Sequence, residues 1–88
     1  MITNEEKEII INCAKKYNVK SIRLFGSAVK KNDYNDIDLA VEGIKPGLFF
    51  CFYGELLRTV DKSVDLVDLD LESPFNSLVK RDGLKIYG

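Results

Sequence analysis

Ile22-Arg-Leu-Phe-Gly-Ser-Ala-Val-Lys-Lys-Asn-Asp-Tyr-Asn-Asp-Ile-Asp-Leu-Ala-Val41 joins a Gly-Ser turn, placed just after an apolar run, to an Asp-x-Asp pair inside the next apolar run. Ile22, Leu24 and Phe25 read as the end of a strand, so Gly26 and Ser27 fall where a strand gives way to a short helix. Free backbone N–H groups at a helix start attract phosphate. Asp36 and Asp38 stand two apart in a strand, which points both carboxylates to one face. Magnesium takes oxygen ligands, commonly one or two carboxylates together with substrate phosphates. The stretch therefore carries what is needed to hold a nucleoside triphosphate with magnesium. Two carboxylates this close, with no arginine between them, repel each other unless a cation sits there.

Outward from this stretch, the chain predicts an alternation of helices and strands. Thr3 followed by Glu6 makes a capping box, and Ile9, Ile10, Cys13, Ala14 and Tyr17 recur at helical spacing, so a first helix is expected over Asn4 to Tyr17 with Asn18 as its stop. A strand is expected over Val19 to Phe25, a short helix over Ala28 to Lys31, a polar loop to Asn35, and a strand from Asp36 to Glu42 ended by Gly43. Pro46 and Gly47 open a helix to about Val60, and Ser63 to Leu69 make a third strand. Ser73 and Pro74 start a last helix that Gly83 stops, with a short strand over Leu84 to Tyr87. The αβαβαβα order predicts an α/β fold, a small mixed sheet flanked by helices, in one domain over residues 1–88.

Composition narrows the function classes. Thirteen basic and fourteen acidic residues give no cationic surface for neutralising many phosphates, so direct nucleic-acid binding is disfavoured. There is no histidine, and Cys13 and Cys51 have no metal-ligand spacing, which excludes zinc sites and Ser/His or Cys/His catalysis. Both cysteines are expected on apolar faces, reduced, in a cytoplasmic protein. The acidic N-terminus is unlike a signal peptide, and no apolar run approaches the roughly 18 residues of a membrane span. At 88 residues, modest stability is expected.

The Gly26-Ser27 turn, its eight-residue spacer and the Asp36-x-Asp38 pair resemble the signature of the polymerase-beta-like nucleotidyltransferase superfamily. The chain is most similar to the small MNT-type (minimal nucleotidyltransferase) proteins, down to its Asp-Gly-Leu-Lys-Ile-Tyr ending. The resemblance implies the nucleotidyltransferase fold and a third metal-site aspartate. Among Asp65, Asp68 and Asp70 it selects Asp65, in a Val-Asp-Leu-Val stretch behind a short basic turn at Lys62-Ser63. It further implies that two Mg2+ ions on Asp36, Asp38 and Asp65 clamp ATP while Gly26 and Ser27 hold its β- and γ-phosphates. An acceptor hydroxyl then attacks the α-phosphorus, with Asp65 helping to activate it. Many relatives carry Arg directly after Gly-Ser and again two residues later. This chain has Ala28 and Lys30 there, and Lys30 is the expected compensating phosphate contact.

MNT-type proteins resemble partners of small helical HEPN proteins, several pairs behaving as toxin and antitoxin with AMP transferred to a HEPN tyrosine. That implies a protein adenylyltransferase acting as an antitoxin. Two alternatives are a non-catalytic antitoxin that blocks its partner by contact, and transfer of AMP to a small molecule such as an aminoglycoside. Enzymes of the latter kind carry an additional helical domain, and this chain ends at Gly88. Helix 46–60 has two apolar stripes. Leu48, Phe49, Phe52 and Leu56 suffice to cover the sheet, and Phe50, Tyr53 and Leu57 are surplus, expected either to seat a partner or a second copy or to be buried by the flanking helices.

Overall fold

A computed structural model describes residues 2–29 and 34–88, apart from the side chain of Ser27. The elements in chain order are α1 (Asn4–Lys16), β1 (Ser21–Phe25), a 3₁₀ turn (Gly26–Val29), β2 (Asp36–Glu42), a second 3₁₀ turn (Pro46–Leu48), α2 (Phe49–Thr59), β3 (Ser63–Asp68), α3 (Pro74–Asp82) and β4 (Leu84–Tyr87). The four strands form one mixed sheet in the order β3-β2-β1-β4. β1 runs antiparallel to β2 and β4, while β2 and β3 are parallel. A parallel pair requires a crossover, which α2 supplies. The expected α/β architecture is present.

Both ends of α1 are closed by local chemistry. Thr3 Oγ1 accepts the Glu6 N–H at 3.1 Å and Glu6 Oε1 accepts the Thr3 N–H at 3.0 Å, which completes the capping box. At the other end Asn18 takes a left-handed conformation (φ 55°). The Asn18 N–H donates to Lys15 O and the Val19 N–H to Ala14 O, each at 3.1 Å, so the helix ends in a Schellman motif. This moves the start of β1. Val19 was expected in the strand, but its N–H belongs to the helix end and its side chain packs with Ala14 in the core.

Strand alternation sorts the sheet into two unlike faces. Ile22 and Leu24 of β1, Ile37, Leu39 and Val41 of β2, and Val64 and Leu66 of β3 point into the main core with Ile10, Cys13 and Ala14 of α1 and Phe52 and Leu56 of α2. Each such large apolar side chain removed from water contributes about 1.5–3 kcal/mol, and here one face of the sheet collects nearly all of it. The opposite face carries Ser21, Arg23 and Phe25, then Asp36, Asp38, Ala40 and Glu42, then Ser63, Asp65 and Val67. α3 covers only part of this face, where Val79 packs with Ala40, Leu69, Phe25 and Val67. Ser73 caps α3 by accepting the Asn76 N–H at 3.0 Å, with Pro74 in its first turn. Gly83 ends α3 without a left-handed turn (φ −69°). Its missing side chain matters for space, since a Cβ would lie 2.6 Å from Val79 O.

Candidate active site

β2 and β3 begin at the same end of the sheet because they are parallel, and their pairing sets Asp36 opposite Ser63 and Asp38 opposite Asp65. Both strands carry these residues in their first half, ahead of the part that α3 covers. Asp36 and Asp65 are therefore exposed and Asp38 half-buried, on the polar face. The Asp38 carboxyl is pushed above its usual range, first by burial, then by the charge and hydrogen bonding of Asp65 and by the charge of Asp36. Two further carboxylates thus bear on Asp38, and among the described residues no basic group offsets them. Among the described residues no group of three metal-ligating side chains is placed to hold a metal ion as it stands. The donors are nonetheless all hard carboxylate oxygens from adjacent strands whose mutual repulsion a divalent cation would relieve, so their chemistry, though not their present spacing, suits magnesium.

Gly26 stands against this cluster. Its φ is +76°, and a Cβ placed on it would overlap Oδ2 of Asp38 and lie 3.1 Å from Asp38 Cγ. Phe25, the residue before, is paired across the sheet with Asp38. Only glycine gives both the backbone conformation and the clearance that let the turn pass over the carboxylate. Of the short helix expected over Ala28 to Lys31, Ala28 and Val29 belong to a 3₁₀ turn that begins at Gly26 itself, while Lys30, Lys31 and the first part of the polar loop expected up to Asn35 lie outside the described residues. The first backbone groups of the turn consequently lie closer to Asp38 than a helix starting at Ala28 would put them. The Ser27 side chain and all of Lys30 lie outside the described residues. Ala28 is fully buried in the main core, so the turn as packed has no space for a larger side chain there.

The other candidate aspartates have structural partners. Asp68 Oδ1 accepts the Asp70 N–H at 2.9 Å, closing the turn after β3. Asp70 takes the Gly43 N–H on both oxygens, at 3.0 and 3.1 Å, and so ties that turn to the end of β2. Among the described residues Asp65 has no such tie, and it stands opposite Asp38. Beside Gly26 an open cleft of about 390 Å³ is lined by Phe25, Val29, Leu78, Val79 and Gly83 among others. Phe75 packs edge-on to Phe25 with ring centroids 5.7 Å apart. The cleft gives the acidic cluster an apolar wall able to receive a flat organic group.

The family model described as "Polymerase beta, Nucleotidyltransferase" matches residues 7–88. The chain belongs to the polymerase beta nucleotidyltransferase family. A crystal structure of a toxin-antitoxin with AMP-PNP is 29% identical over 98% of this chain and 74% of that one, with a TM-score of 0.74. The toxin-antitoxin MntA-HepT is 25% identical over 98% and 73% of the two chains, also with a TM-score of 0.74. A protein from Shewanella oneidensis shares the fold at a TM-score of 0.76, with 22% identity over 99% and 73%. Among curated proteins no sequence match is found. The likeness to MntA-HepT structures agrees with the MNT-type reading of the motifs.

Two expectations outside the site are corrected. Cys13 is buried, and burial followed by the neighbouring Glu55 carboxylate pushes its thiol up to about 12, but Cys51 is exposed on α2. The three surplus residues of α2 also divide. Phe50 is 81% and Leu57 51% exposed. Tyr53 instead leans on the core and donates its O–H to Val64 O at 2.8 Å. Helical spacing places Tyr53 near Phe50, but the phenol's reach to a strand carbonyl is visible only in three dimensions. Among the described residues no helix is long and apolar enough to cross a membrane.

Proposed function

We propose that this nucleotidyltransferase-family protein transfers AMP from ATP to a hydroxyl, in the first instance a tyrosine of a small helical HEPN-type partner, and so acts as an antitoxin; the acceptor oxygen bonds to the α-phosphorus as the bond to the β-phosphate oxygen breaks and pyrophosphate leaves. The observation that carries the reading is the parallel register that sets Asp65 beside Asp38 under the Gly26 turn. Asp36, Asp38 and Asp65 would hold two Mg2+ ions, which supply charge neutralisation at the triphosphate when bound. The backbone N–H groups of the Gly26-Ser27 turn would bind the β- and γ-phosphates and fix the α-phosphorus over Asp38, with Lys30 adding a flexible positive charge. Asp65 would accept the proton of the acceptor hydroxyl, and half-burial of Asp38 limits water at the reacting end. The apolar wall of Phe25 and Leu78 would exclude water on the other side. A partner is supported by the toxin-antitoxin neighbours and by Phe50 and Leu57, two large apolar side chains that this fold leaves in water.

A second reading, a contact-only antitoxin of the same fold, draws on Ala28. Where the MNT resemblance leads one to expect an arginine, this chain packs a buried methyl group. One experiment separates the two readings. Single-turnover transfer of labelled AMP from ATP to a co-expressed partner should fall at least 100-fold in Asp65→Asn, an effect expected for loss of a catalytic base. It should stay near wild type in Asp68→Asn, since an amide oxygen can still accept the Asp70 N–H. Equal activity of the two variants would refute the assignment of Asp65, and absence of transfer by the wild-type protein would favour the contact-only reading.

A further inference from the structure

A buried polar junction lies at the end of the sheet where β2 and β3 begin, at the margin of the main core, which the Tyr34 ring joins. Glu6 of α1 is 8% exposed and unites three segments far apart in sequence. Its Oε1 accepts the Thr3 N–H and also the Tyr34 O–H in a short hydrogen bond. Its Oε2 accepts Lys62 Nζ at 2.6 Å, and the same ammonium lies 4.5 Å from the centre of the Tyr34 ring. A glutamate serving a capping box needs only the Thr3 N–H and can remain in water. This one has given up its hydration to take two further donors, a cost met only because the three groups satisfy one another.

The positions of those donors are informative. Tyr34 stands two residues before Asp36, and Lys62 three residues before Asp65. The junction therefore clamps to one carboxylate the two chain segments that lead into the acidic strands. It does so just where the strand pairing begins, at Asp36 opposite Ser63. Asp36, Asp38 and Asp65 repel one another, and β3 is an edge strand held on one side only. A tie at the strand entrances opposes their separation before any cation is present. Because Lys62 neutralises Glu6, the tie adds no net charge to the acidic end of the sheet.

We infer that Glu6, Tyr34 and Lys62 are positioning residues that hold the starts of β2 and β3 at the spacing a bound divalent cation requires. This inference rests on the functional reading above. The test is Mn2+ titration of the full chain, followed by electron paramagnetic resonance in the presence of AMP-PNP, with a denaturation midpoint measured for each protein. Tyr34→Phe removes one O–H and keeps the ring. Lys62→Met removes the charge and keeps most of the stem. Each should weaken Mn2+ binding about tenfold while the protein stays folded at the assay temperature, and the double variant should be little worse than either single one, because the three groups act as one tie. Glu6→Gln, which retains an acceptor for Tyr34 but cannot pair with an ammonium, should match Lys62→Met. Wild-type Mn2+ affinity in both single variants, with only the denaturation midpoint lowered, would overturn the inference and leave the functional reading standing. Failure of the wild-type protein to bind Mn2+ with AMP-PNP would overturn both.

Discussion

Replacing Gly26 by alanine tests the geometry of the site with the smallest available change. Two costs follow from the structure. At φ +76° an alanine sits in the left-handed region, at about 1–2 kcal/mol. The new methyl group also overlaps Oδ2 of Asp38, so that carboxylate must turn away from its rotamer at about 0.5–1.5 kcal/mol, or the turn must lift off the strand. Together these come to roughly 1.5–3.5 kcal/mol, which for a domain of this size lowers the melting temperature by roughly 6–28 °C. Against a total stability on the order of 5 to 15 kcal/mol the variant should still fold. The functional loss should exceed what the melting shift explains, since the displaced carboxylate is the one between Asp36 and Asp65. Gly47→Ala is the matched control. A Cβ there meets nothing within 4 Å, so it should be neutral or stabilise by about 0.4–1 kcal/mol through the unfolded chain. Melting followed by circular dichroism and Mn2+ binding with AMP-PNP provide the two readouts. A Gly26→Ala protein that melts with Gly47→Ala would refute the strain argument, and one that melts lower yet binds Mn2+ as tightly as wild type would refute the contact with Asp38.

Two further outcomes are expected. The Asp38 carboxyl has a raised pKa in the folded protein, so between the ordinary carboxylate value and the raised one the native state holds more protons than the unfolded chain, and stability without metal falls as pH rises through that window. Asp38→Asn should remove this slope and melt above the wild type at neutral pH in the presence of a chelator; parallel pH profiles for the two proteins would contradict the crowding of Asp38 by Asp65 and Asp36. Phe50→Asp should leave the melting temperature within about 2 °C of wild type, as expected for a side chain mostly in water, while sedimentation of the co-expressed pair shows the complex with the helical partner dispersed; an intact complex would remove α2 from the proposed partner surface.

Much of this molecule is legible in the sequence because the deciding interactions are local. Thr3 and Glu6 are three residues apart, so the start of α1 can be read from the chain, and Ser73-Pro74 announces α3 in the same way. Strand alternation alone puts Asp36 with Asp38 on one face and separates Asp65 from Asp68. The tertiary structure decided what depends on reach between distant segments. Only the parallel pairing of β2 with β3 brings Asp65 opposite Asp38, and only the close pass of the turn shows that Gly26 is required by the Asp38 carboxylate as well as by its own φ. Asp68 and Asp70 become structural through backbone N–H groups, the latter with a partner 27 residues away. Tyr53 leaves the apolar stripe because its hydroxyl finds Val64 O, and Val19 leaves β1 because the end of α1 claims its N–H. Glu6 reads as a cap and nothing more until residues 28 and 56 positions later fold onto it. Local signals set the elements because a helix cap or a strand face is satisfied within a few residues. The spacing of the candidate site waited on the fold, since repelling carboxylates come together only when packing elsewhere holds their strands side by side.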